Sequence, residues 1–221
     1  MNVNKLKIHI ISDLVCPWCV IGYKNFKISE KILKNKITLE IDWKPYQLHP
    51  NIPANGIDKF TYLNNKGISS QSKNTTKYLK ELGTNLGFIF NFNKAKKIPN
   101  TLQAHRLLEL IQDKTLKSKV VEYMFISYFT DGVDIGSKEK LLNIGKKAEL
   151  EDSLLERFIS SNEGLREVEE EENFYREKNI SGVPTFMINN QYILQGAQES
   201  ETFVSFLNRI NQKVEERTKI S

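Results

Sequence analysis

The sequence contains little cysteine and no long apolar run. Its 221 residues include two cysteines, six prolines and 11 glycines, a composition that excludes collagen-like and low-complexity chains. Two cysteines are too few for a secreted domain held together by several disulfides. No stretch approaches the roughly 18 consecutive apolar residues of a membrane helix. The N-terminal segment shows only a brief apolar run and no small-residue cleavage site, so we expect no secretory signal peptide and a cytoplasmic protein.

The charged residues do not gather into a stripe of one sign. The net charge is +5, from 32 basic and 27 acidic residues, and it bears on solubility and on the steering of partners rather than on fold. The densest basic patch, at residues 94–97, has no nucleic-acid-binding motif around it. The acidic run at residues 169–172 is predicted to form the solvated face of a helix. We therefore expect a protein that binds neither nucleic acid nor a membrane. The sequence leaves the oligomeric state, monomer or homodimer, open.

Hydrophobic periodicity predicts a β-α-β unit at the start of the sequence. Apolar residues alternate with polar ones over residues 5–12 and again over residues 37–43, and a helical pattern begins at Pro17 between them. This order of elements is typical of two parallel strands joined by a crossover helix. Trp43 falls on the buried side of the second strand, so we predict that it belongs to the core.

The rest of the sequence predicts a long helical region and then a second α/β half. Residues 57–160 follow helical spacing, with an Asn- and Ser-rich loop predicted at residues 64–76. A helix from about residue 163 leads to two short strands that flank Asn189-Asn190, and a last helix begins at Ser200. Neither half has a complete sheet, so we predict that the two halves form one domain.

Cys16 and Cys19 stand three residues apart at the predicted start of a helix. One helical turn brings two Cα atoms near the roughly 4.4–6.8 Å that a disulfide requires, so such a pair can open and close with little backbone movement. The helix N-terminus favours the thiolate of Cys16, while Cys19 lies one turn deeper and is shielded. We therefore predict redox chemistry in which an exposed Cys16 attacks and Cys19 resolves.

Other interpretations of this pair stay open on the residues alone, among them a different thiol chemistry. A zinc site needs four ligands, but the sequence has no second C-x-x-C, and His9, His49 and His105 lack the spacing of zinc ligands. A purely structural disulfide would close too short a loop to add much stability. We predict no metal and no permanently held organic cofactor.

The ordered motifs of the sequence resemble a known family over essentially the whole chain. The sequence is similar to the DsbA-type branch of the thioredoxin superfamily, and within it to the FrnE-like oxidoreductases of polyketide-biosynthesis type. The motifs that carry the resemblance are Ser12-Asp-x-x-Cys16-Pro-Trp-Cys19, Trp43-x-Pro-Tyr-Gln-Leu-His-Pro50, Asn100-Thr-x-x-Ala-His105-Arg106, Gly182-Val-Pro184 and Gly196-Ala-Gln198. Glu199 departs from the family, which commonly has proline after Gly-Ala-Gln; a helix start tolerates either residue.

The resemblance implies an α/β protein with a thioredoxin-like fold, in which a large all-helical insertion separates the β-α-β half from the α-β-β-α half. We place the thioredoxin-like domain at residues 1–56 and 163–221, and the helical insertion domain at residues 57–162. The resemblance also implies that Pro184 is cis and faces the two cysteines. The backbone of Val183 could then dock an extended substrate by strand addition. On the residues alone, Pro184 is equally well an ordinary turn residue before a strand.

Three further side chains are candidates near the cysteines. His105 lies in the helical insertion, which in the resembling family covers the active site, so it could contact substrate or stabilise a thiolate; a histidine on a helix is more often simply hydrogen-bonded. Trp18, between the cysteines, is predicted to be exposed and to shape substrate access. Asp13 could assist proton transfer, although we favour a role in capping the loop.

The leading hypothesis is a thiol–disulfide oxidoreductase that acts on protein or small-molecule thiols and disulfides, with glutathione as a possible co-substrate. One alternative is a glutathione-dependent isomerase or transferase, because 2-hydroxychromene-2-carboxylate isomerases and kappa-class glutathione transferases resemble this architecture. Those enzymes have serine at the position of Cys16 and lack the resolving cysteine. A second alternative is a non-catalytic chaperone or binding module. The motif does not fix the direction of electron flow, which depends on the reduction potential.

Overall fold

The strands predicted near the two ends of the sequence pair with each other in one sheet. A computed structural model describes residues 4–65 and 71–220. The strands are Asn4–Ser12 (β1), Ile37–Pro45 (β2), Ile57–Asp58 (β3), Lys97–Ile98 (β4), Thr185–Ile188 (β5) and Tyr192–Gln195 (β6). The main sheet has the order β2-β1-β5-β6, in which β1 is parallel to β2 and antiparallel to β5. Strand β1 therefore joins the β-α-β half to the α-β-β-α half.

Helices fill the sequence between the two halves. They are Pro17–Leu33 (α1), Lys59–Asn65 (α2), Gln71–Asn85 (α3), Leu102–Glu109 (α4), Lys114–Phe125 (α5), Lys138–Lys147 (α6), Asp152–Ser160 (α7), Leu165–Glu177 (α8) and Ser200–Ile220 (α9). Since α2 to α7 all come between β2 and α8, the predicted α/β class with a helical insertion is confirmed. The short antiparallel pair β3–β4 also lies within this insertion, a feature that the helical pattern did not predict. Among the described helices, none is both long and apolar enough to cross a membrane.

The loop predicted at residues 64–76 is wrong at both ends. Residues 64–65 belong to α2 and residues 71–76 belong to α3, while residues 66–70 lie outside the described residues. The Asn, Ser and Thr residues of this stretch have weak helix propensity. Leu79 of the same helix is buried in the main core, so tertiary packing of α3 outweighs the local preference of its first turn.

Trp43 connects the sheet to the helical insertion and is buried, as predicted. Its ring meets Tyr23 of α1 at a centroid distance of 4.8 Å and Phe125 of α5 at 6.1 Å, both edge to face. Its indole N–H donates to Ser118 Oγ (3.0 Å), which satisfies the polar end of a buried aromatic side chain. The core of the sheet and the core of the insertion are therefore one continuous apolar cluster.

Candidate active site

Cys16 and Cys19 lie at the start of α1, and both are free thiols. Cys16 is the N-cap residue, and Pro17 opens the helix because the first helical position needs no backbone N–H. The N–H of Cys16 donates to Asp13 O and the N–H of Cys19 donates to Cys16 O, each at 3.1 Å. The loop before the helix and the first helical turn thus hold the two cysteines as one unit.

Cys16 is buried, whereas the sequence led us to expect an exposed side chain. The residue is 4% exposed. Its Sγ lies 3.7 Å from the carbonyl oxygen of Val183, so the segment before β5 covers the sulfur, a tertiary contact that local sequence does not reveal. Its chain neighbours Val15 and Pro17 border a cavity of about 230 Å³. The cysteine loop therefore borders a cavity, while the segment before β5 covers the Cys16 sulfur.

Cys19 is buried one turn further along α1, as predicted. Burial raises the pKa of its thiol well above the ordinary value, and the neighbouring Cys16 sulfur raises the pKa further. The hydroxyl of Ser12 and the backbone of Asp13 act in the opposite direction and lower the pKa of Cys19. Cys19 is therefore held as a thiol near neutral pH.

Val183 and Pro184 lie across from Cys16, where the chain enters β5. The Val183–Pro184 peptide bond is cis. The ladder between β1 and β5 ends at the pair of Ile11 and Thr185. Val183 and Pro184 therefore lie just before the paired part of β5. A Cβ atom added to Gly22 of α1 would lie 2.9 Å from Pro184 Cγ. Only glycine lets α1 approach Pro184 this closely, and the sequence analysis did not single out Gly22.

Trp18 is half-buried, whereas we predicted that it is exposed. Its ring lies 6.2 Å, centroid to centroid, from the ring of Tyr78 in α3. The burial comes from the insertion, which packs α3 close to the start of α1. The residue between the two cysteines is therefore a contact between the thioredoxin-like segment and the insertion.

Asp13 and His105 form a buried pair beneath the cysteine loop. One carboxylate oxygen of Asp13 accepts from the N–H of Leu48 (2.7 Å) and the other accepts from the N–H of Val15 (3.4 Å), contacts that fit the loop-capping role we favoured. His105, on α4, is 4% exposed. Its Nε2 lies 3.8 Å from Asp13 Oδ1. The structure thus places His105 against the acidic residue of the cysteine loop.

The cavity beside the cysteine loop brings in residues that the sequence analysis missed. Lys59 and Phe92 line it, and the ammonium of Lys59 donates to the carbonyl oxygen of Phe92 (2.5 Å). Burial lowers the pKa of Lys59. Tyr128 also lines it, and its hydroxyl donates to the carbonyl oxygen of Lys97 (3.2 Å). Tyr128 lies in a π-helical turn, Ile126–Thr130, that directly follows α5. The sequence there shows only the apolar spacing of a core seam, so nothing in it marks Tyr128 as a cavity residue.

Residues that could bind a metal do not cluster in the described parts of the chain. Within residues 4–65 and 71–220, no group of three or more His, Cys, Asp or Glu side chains has the arrangement of a metal site. The candidate site comprises the cysteine pair, the Val183–Pro184 segment, the Asp13–His105 pair and the adjoining cavity.

Residues 7–208 match the DSBA-like thioredoxin domain family. This match covers most of the 221 residues, and the chain belongs to that family. The fold is shared with "probable DsbA oxidoreductase SCO1869" from Streptomyces coelicolor, at a TM-score of 0.83 and 22% identity over 92% of this chain and 89% of the other.

Two further solved structures have the same fold at lower identity. A 2-hydroxychromene-2-carboxylate isomerase aligns with a TM-score of 0.69 and 15% identity over 97% of this chain and 99% of the other. The cytosolic disulfide reductase DsbM from Pseudomonas aeruginosa, solved with GSH, aligns with a TM-score of 0.61 and 13% identity over 96% of this chain and 99% of the other. One architecture therefore includes proteins described as an oxidoreductase, a reductase and an isomerase.

Proposed function

We propose that the protein is a thiol–disulfide oxidoreductase in which Cys16 is the nucleophile and Cys19 the resolving cysteine. The observation that carries the proposal is the unequal environment of the two sulfurs. Cys16 is the N-cap residue of α1, and its chain neighbours Val15 and Pro17 border a cavity through which a substrate can approach. Cys19 is one turn deeper, and burial raises the pKa of its thiol. This difference suits a first attack by Cys16.

The reaction proceeds in two exchanges of sulfur bonds. The thiolate of Cys16 attacks a substrate disulfide, forms a mixed disulfide and releases one substrate sulfur as a thiolate. Cys19 then loses its proton and attacks Cys16 Sγ; the bond from Cys16 to the substrate breaks, and the second substrate sulfur leaves with the electron pair. The protein ends as the Cys16–Cys19 disulfide, and two electrons have passed to the substrate. The reverse sequence oxidises a substrate dithiol.

Substrate contacts are proposed for Val183, Pro184 and Trp18. The carbonyl oxygen of Val183 lies 3.7 Å from Cys16 Sγ, so a peptide that pairs with the backbone there would bring its sulfur to Cys16. Trp18 contacts Tyr78 at the edge of the insertion and would limit the size of the substrate that enters. His105 does not line the cavity beside the cysteine loop but a separate, smaller one, and we propose for it a role in proton transfer instead of substrate contact.

Glutathione is proposed as a co-substrate in a reducing compartment, the cytoplasm. Lys59 places a cation in the wall of the 230 Å³ cavity, and a cation suits the carboxylates of a small anionic thiol. The two cysteines of the sequence form a redox motif and not a structural framework, as is usual where thiols are kept reduced. Within the family, the ordered sequence motifs favour the FrnE-like branch.

The alternative of an isomerase or transferase rests on the same cavity. In such an enzyme, glutathione would bind without a lasting bond to the protein, and Cys16 would polarise its thiol. The presence of Cys19 behind Cys16 favours the oxidoreductase over this alternative, because a resolving thiol has no role in an isomerisation. It also disfavours a binding module that performs no chemistry.

A trapping experiment separates these three functions. In a Cys19→Ser variant the resolving attack is lost, so incubation with oxidised glutathione should leave one glutathionyl group on Cys16, measured by mass spectrometry of the intact protein and of its peptides. The matched variant Cys16→Ser should form far less adduct, because burial keeps Cys19 protonated.

The other outcomes decide between the alternatives. Equal adducts in the two variants would contradict the assignment of nucleophile and resolving cysteine. No adduct, together with non-covalent glutathione binding measured by calorimetry, would favour the isomerase or transferase. Neither adduct nor glutathione binding would favour the binding module.

A further inference from the structure

Two buried polar atoms beneath the cysteine loop make no hydrogen bond within residues 4–65 and 71–220. They are the hydroxyl oxygen of Ser12 and Nε2 of His105. The two residues are 2% and 4% exposed. A buried polar atom without a partner is destabilising, and most such atoms in folded proteins are paired with protein or with ordered water. Two of them at one place therefore point to a shared partner.

Ser12 and His105 line the same small cavity. Its volume is about 10 Å³, and its other walls are formed by Leu14, Trp43, Lys44, Pro45, Leu108 and Glu109. A space of this size holds about one water molecule, which needs two to four polar partners. The Ser12 hydroxyl and the His105 imidazole supply two of them. The cavity is therefore a fitting site for a single ordered water.

The two polar residues of the cavity connect to different parts of the site. Ser12 acts on Cys19 and lowers the pKa of its thiol. Nε2 of His105 lies 3.8 Å from the carboxylate of Asp13. The cavity that Ser12 and His105 both line is therefore next to a residue that acts on the resolving cysteine and next to an acid–imidazole pair.

We propose that a single water molecule in this cavity links Ser12 to His105, and that His105 receives through it the proton that Cys19 loses when it resolves the mixed disulfide. This inference rests on the proposed function. As Cys19 Sγ bonds to Cys16 Sγ, the substrate sulfur leaves as a thiolate with the electron pair of the broken bond. The proton passes by way of Ser12 and the water to Nε2 of His105. The released substrate thiolate takes its own proton from solvent.

The surroundings of His105 suit a temporary positive charge. The carboxylate of Asp13 lies 3.8 Å from Nε2, so an opposite charge is next to the ring that takes up the proton. Two other charged residues, Lys44 and Glu109, border the cavity. Lys44 is held in ion pairs with Asp42 and Glu171. Glu109 is half-buried and therefore offers a route by which the proton leaves to solvent. His105 acts through the water, so it is a positioning residue and does not touch the reacting sulfurs.

A stopped-flow measurement with a chromogenic disulfide tests this proposal, because it separates the attack by Cys16 from the attack by Cys19. Reduced protein mixed in a stopped-flow instrument with dithiobis(nitrobenzoate) releases one coloured thiolate when Cys16 attacks and a second when Cys19 resolves. Near neutral pH, Ser12→Ala and His105→Gln should slow the second release by roughly tenfold or more, the usual contribution of a positioned proton acceptor, and leave the first nearly unchanged. Ser12→Thr keeps the hydroxyl and should restore the second release.

The pH profile separates proton transfer from a packing defect. In His105→Gln the deficit should shrink as the pH rises, because hydroxide then removes the Cys19 proton. Leu108→Val, in the apolar wall of the same cavity, is the matched control and should show neither the deficit nor its pH dependence. Equal slowing of both releases, a pH-independent deficit, or the same deficit in Leu108→Val would overturn the proposal.

The experiment also distinguishes failure of this proposal from failure of the proposed function. A wild-type protein that shows no second release would contradict the role of Cys19 itself. A wild-type protein with two releases and unaltered Ser12→Ala and His105→Gln variants would overturn the proton route alone. Circular dichroism checks that the variants fold, and if His105→Gln does not fold, the comparison of Ser12→Ala with Ser12→Thr decides.

Discussion

Arg106 is the largest side chain with no exposed surface. Its Nε donates to the carbonyl oxygen of Glu163 (2.8 Å), and Nη2 donates to the carbonyl oxygens of Phe158 (2.9 Å) and Ser161 (2.5 Å). Its guanidinium also stacks over the Phe158 ring at 4.9 Å. The planar group thus satisfies the carbonyl groups at the end of α7 and fixes the connection to α8, next to the helix turn that carries His105.

The first prediction at the residue scale is that Arg106→Lys destabilises the protein. Lysine keeps the charge, but its single ammonium cannot reach three carbonyl oxygens in different directions. Buried acceptors without donors should lower the free energy of unfolding by about 2–4 kcal/mol, measured by urea denaturation. Arg157→Lys is the control, because the Arg157 side chain is 54% exposed, and it should cost less than about 0.5 kcal/mol. Similar losses in the two variants would contradict this role of Arg106.

For single residues, the sequence predicts burial best where burial is set by the residue's position in its own strand or helix. The alternation of β2 places Trp43 in the core, and the helix start places Cys19 one turn inside, and both are buried. The exposure of Cys16 and Trp18 was predicted wrongly, because Val183 covers one and Tyr78 contacts the other. Both covering residues are remote in sequence, and no periodicity records such contacts.

At the scale of an element, α8 clamps the segment that follows β2. The carboxylate of Glu172 accepts from the N–H of Gln47 (2.9 Å) and from Arg176 (2.5 Å). Arg176 in turn donates to the carbonyl oxygen of Gln47 (2.7 Å). The next residue, Leu48, donates its N–H to Asp13. One face of α8 is therefore connected, through this segment, to the loop that holds the cysteines.

The acidic run on α8 therefore divides into two kinds of residue. Glu169 and Glu170 are exposed, as the predicted solvated face requires, but Glu172 is buried. The sequence shows only a run of like charges, and the helical rotation decides which member points inward. The prediction of a solvated face is therefore wrong for Glu172, whose partner is a backbone N–H that sequence patterns do not display.

We expect Glu172→Ala to be far more damaging than Glu170→Ala. Loss of the Glu172 carboxylate leaves the Gln47 N–H without its partner and should lower the free energy of unfolding by about 2–3 kcal/mol. Glu170 is the matched control from the same acidic run; its side chain is 66% exposed, and its removal should change stability by less than about 0.5 kcal/mol. Chemical denaturation compares the two, and equal effects would mean that the clamp on residues 46–48 adds no stability.

At the scale of the whole molecule, the two segments of the thioredoxin-like domain and the insertion share one core. We retain residues 1–56 and 163–221 against residues 57–162 as the proposed division. Across it, the Tyr23 hydroxyl of α1 donates to Glu122 of α5 (2.8 Å), and Trp43 packs on Phe125. The order of the elements and the insertion could be predicted from sequence. The closeness of this contact could not, because it depends on how α5 docks against β2.

A shared core predicts that the protein unfolds in one cooperative transition. Both tryptophans, Trp18 and Trp43, belong to the thioredoxin-like segments, so their fluorescence reports on that part, while the far-ultraviolet circular dichroism is dominated by all helices together. The urea midpoints of the two signals should coincide. Phe125→Ala removes a side chain that is 1% exposed on the insertion side of the junction, and it should lower both midpoints equally, with a loss of about 3–5 kcal/mol.

Ile126→Ala is the control for that variant, because Ile126 is the next residue in the chain and is 39% exposed. Truncation of Ile126 leaves no cavity in the shared core. It should lower the free energy of unfolding by much less than Phe125→Ala does. If Phe125→Ala instead moved the circular dichroism midpoint and left the fluorescence midpoint in place, the insertion would unfold on its own. The continuous cluster would then consist of two separately stable cores that only touch, and the walls of the cavity beside Cys16 could open without loss of the sheet.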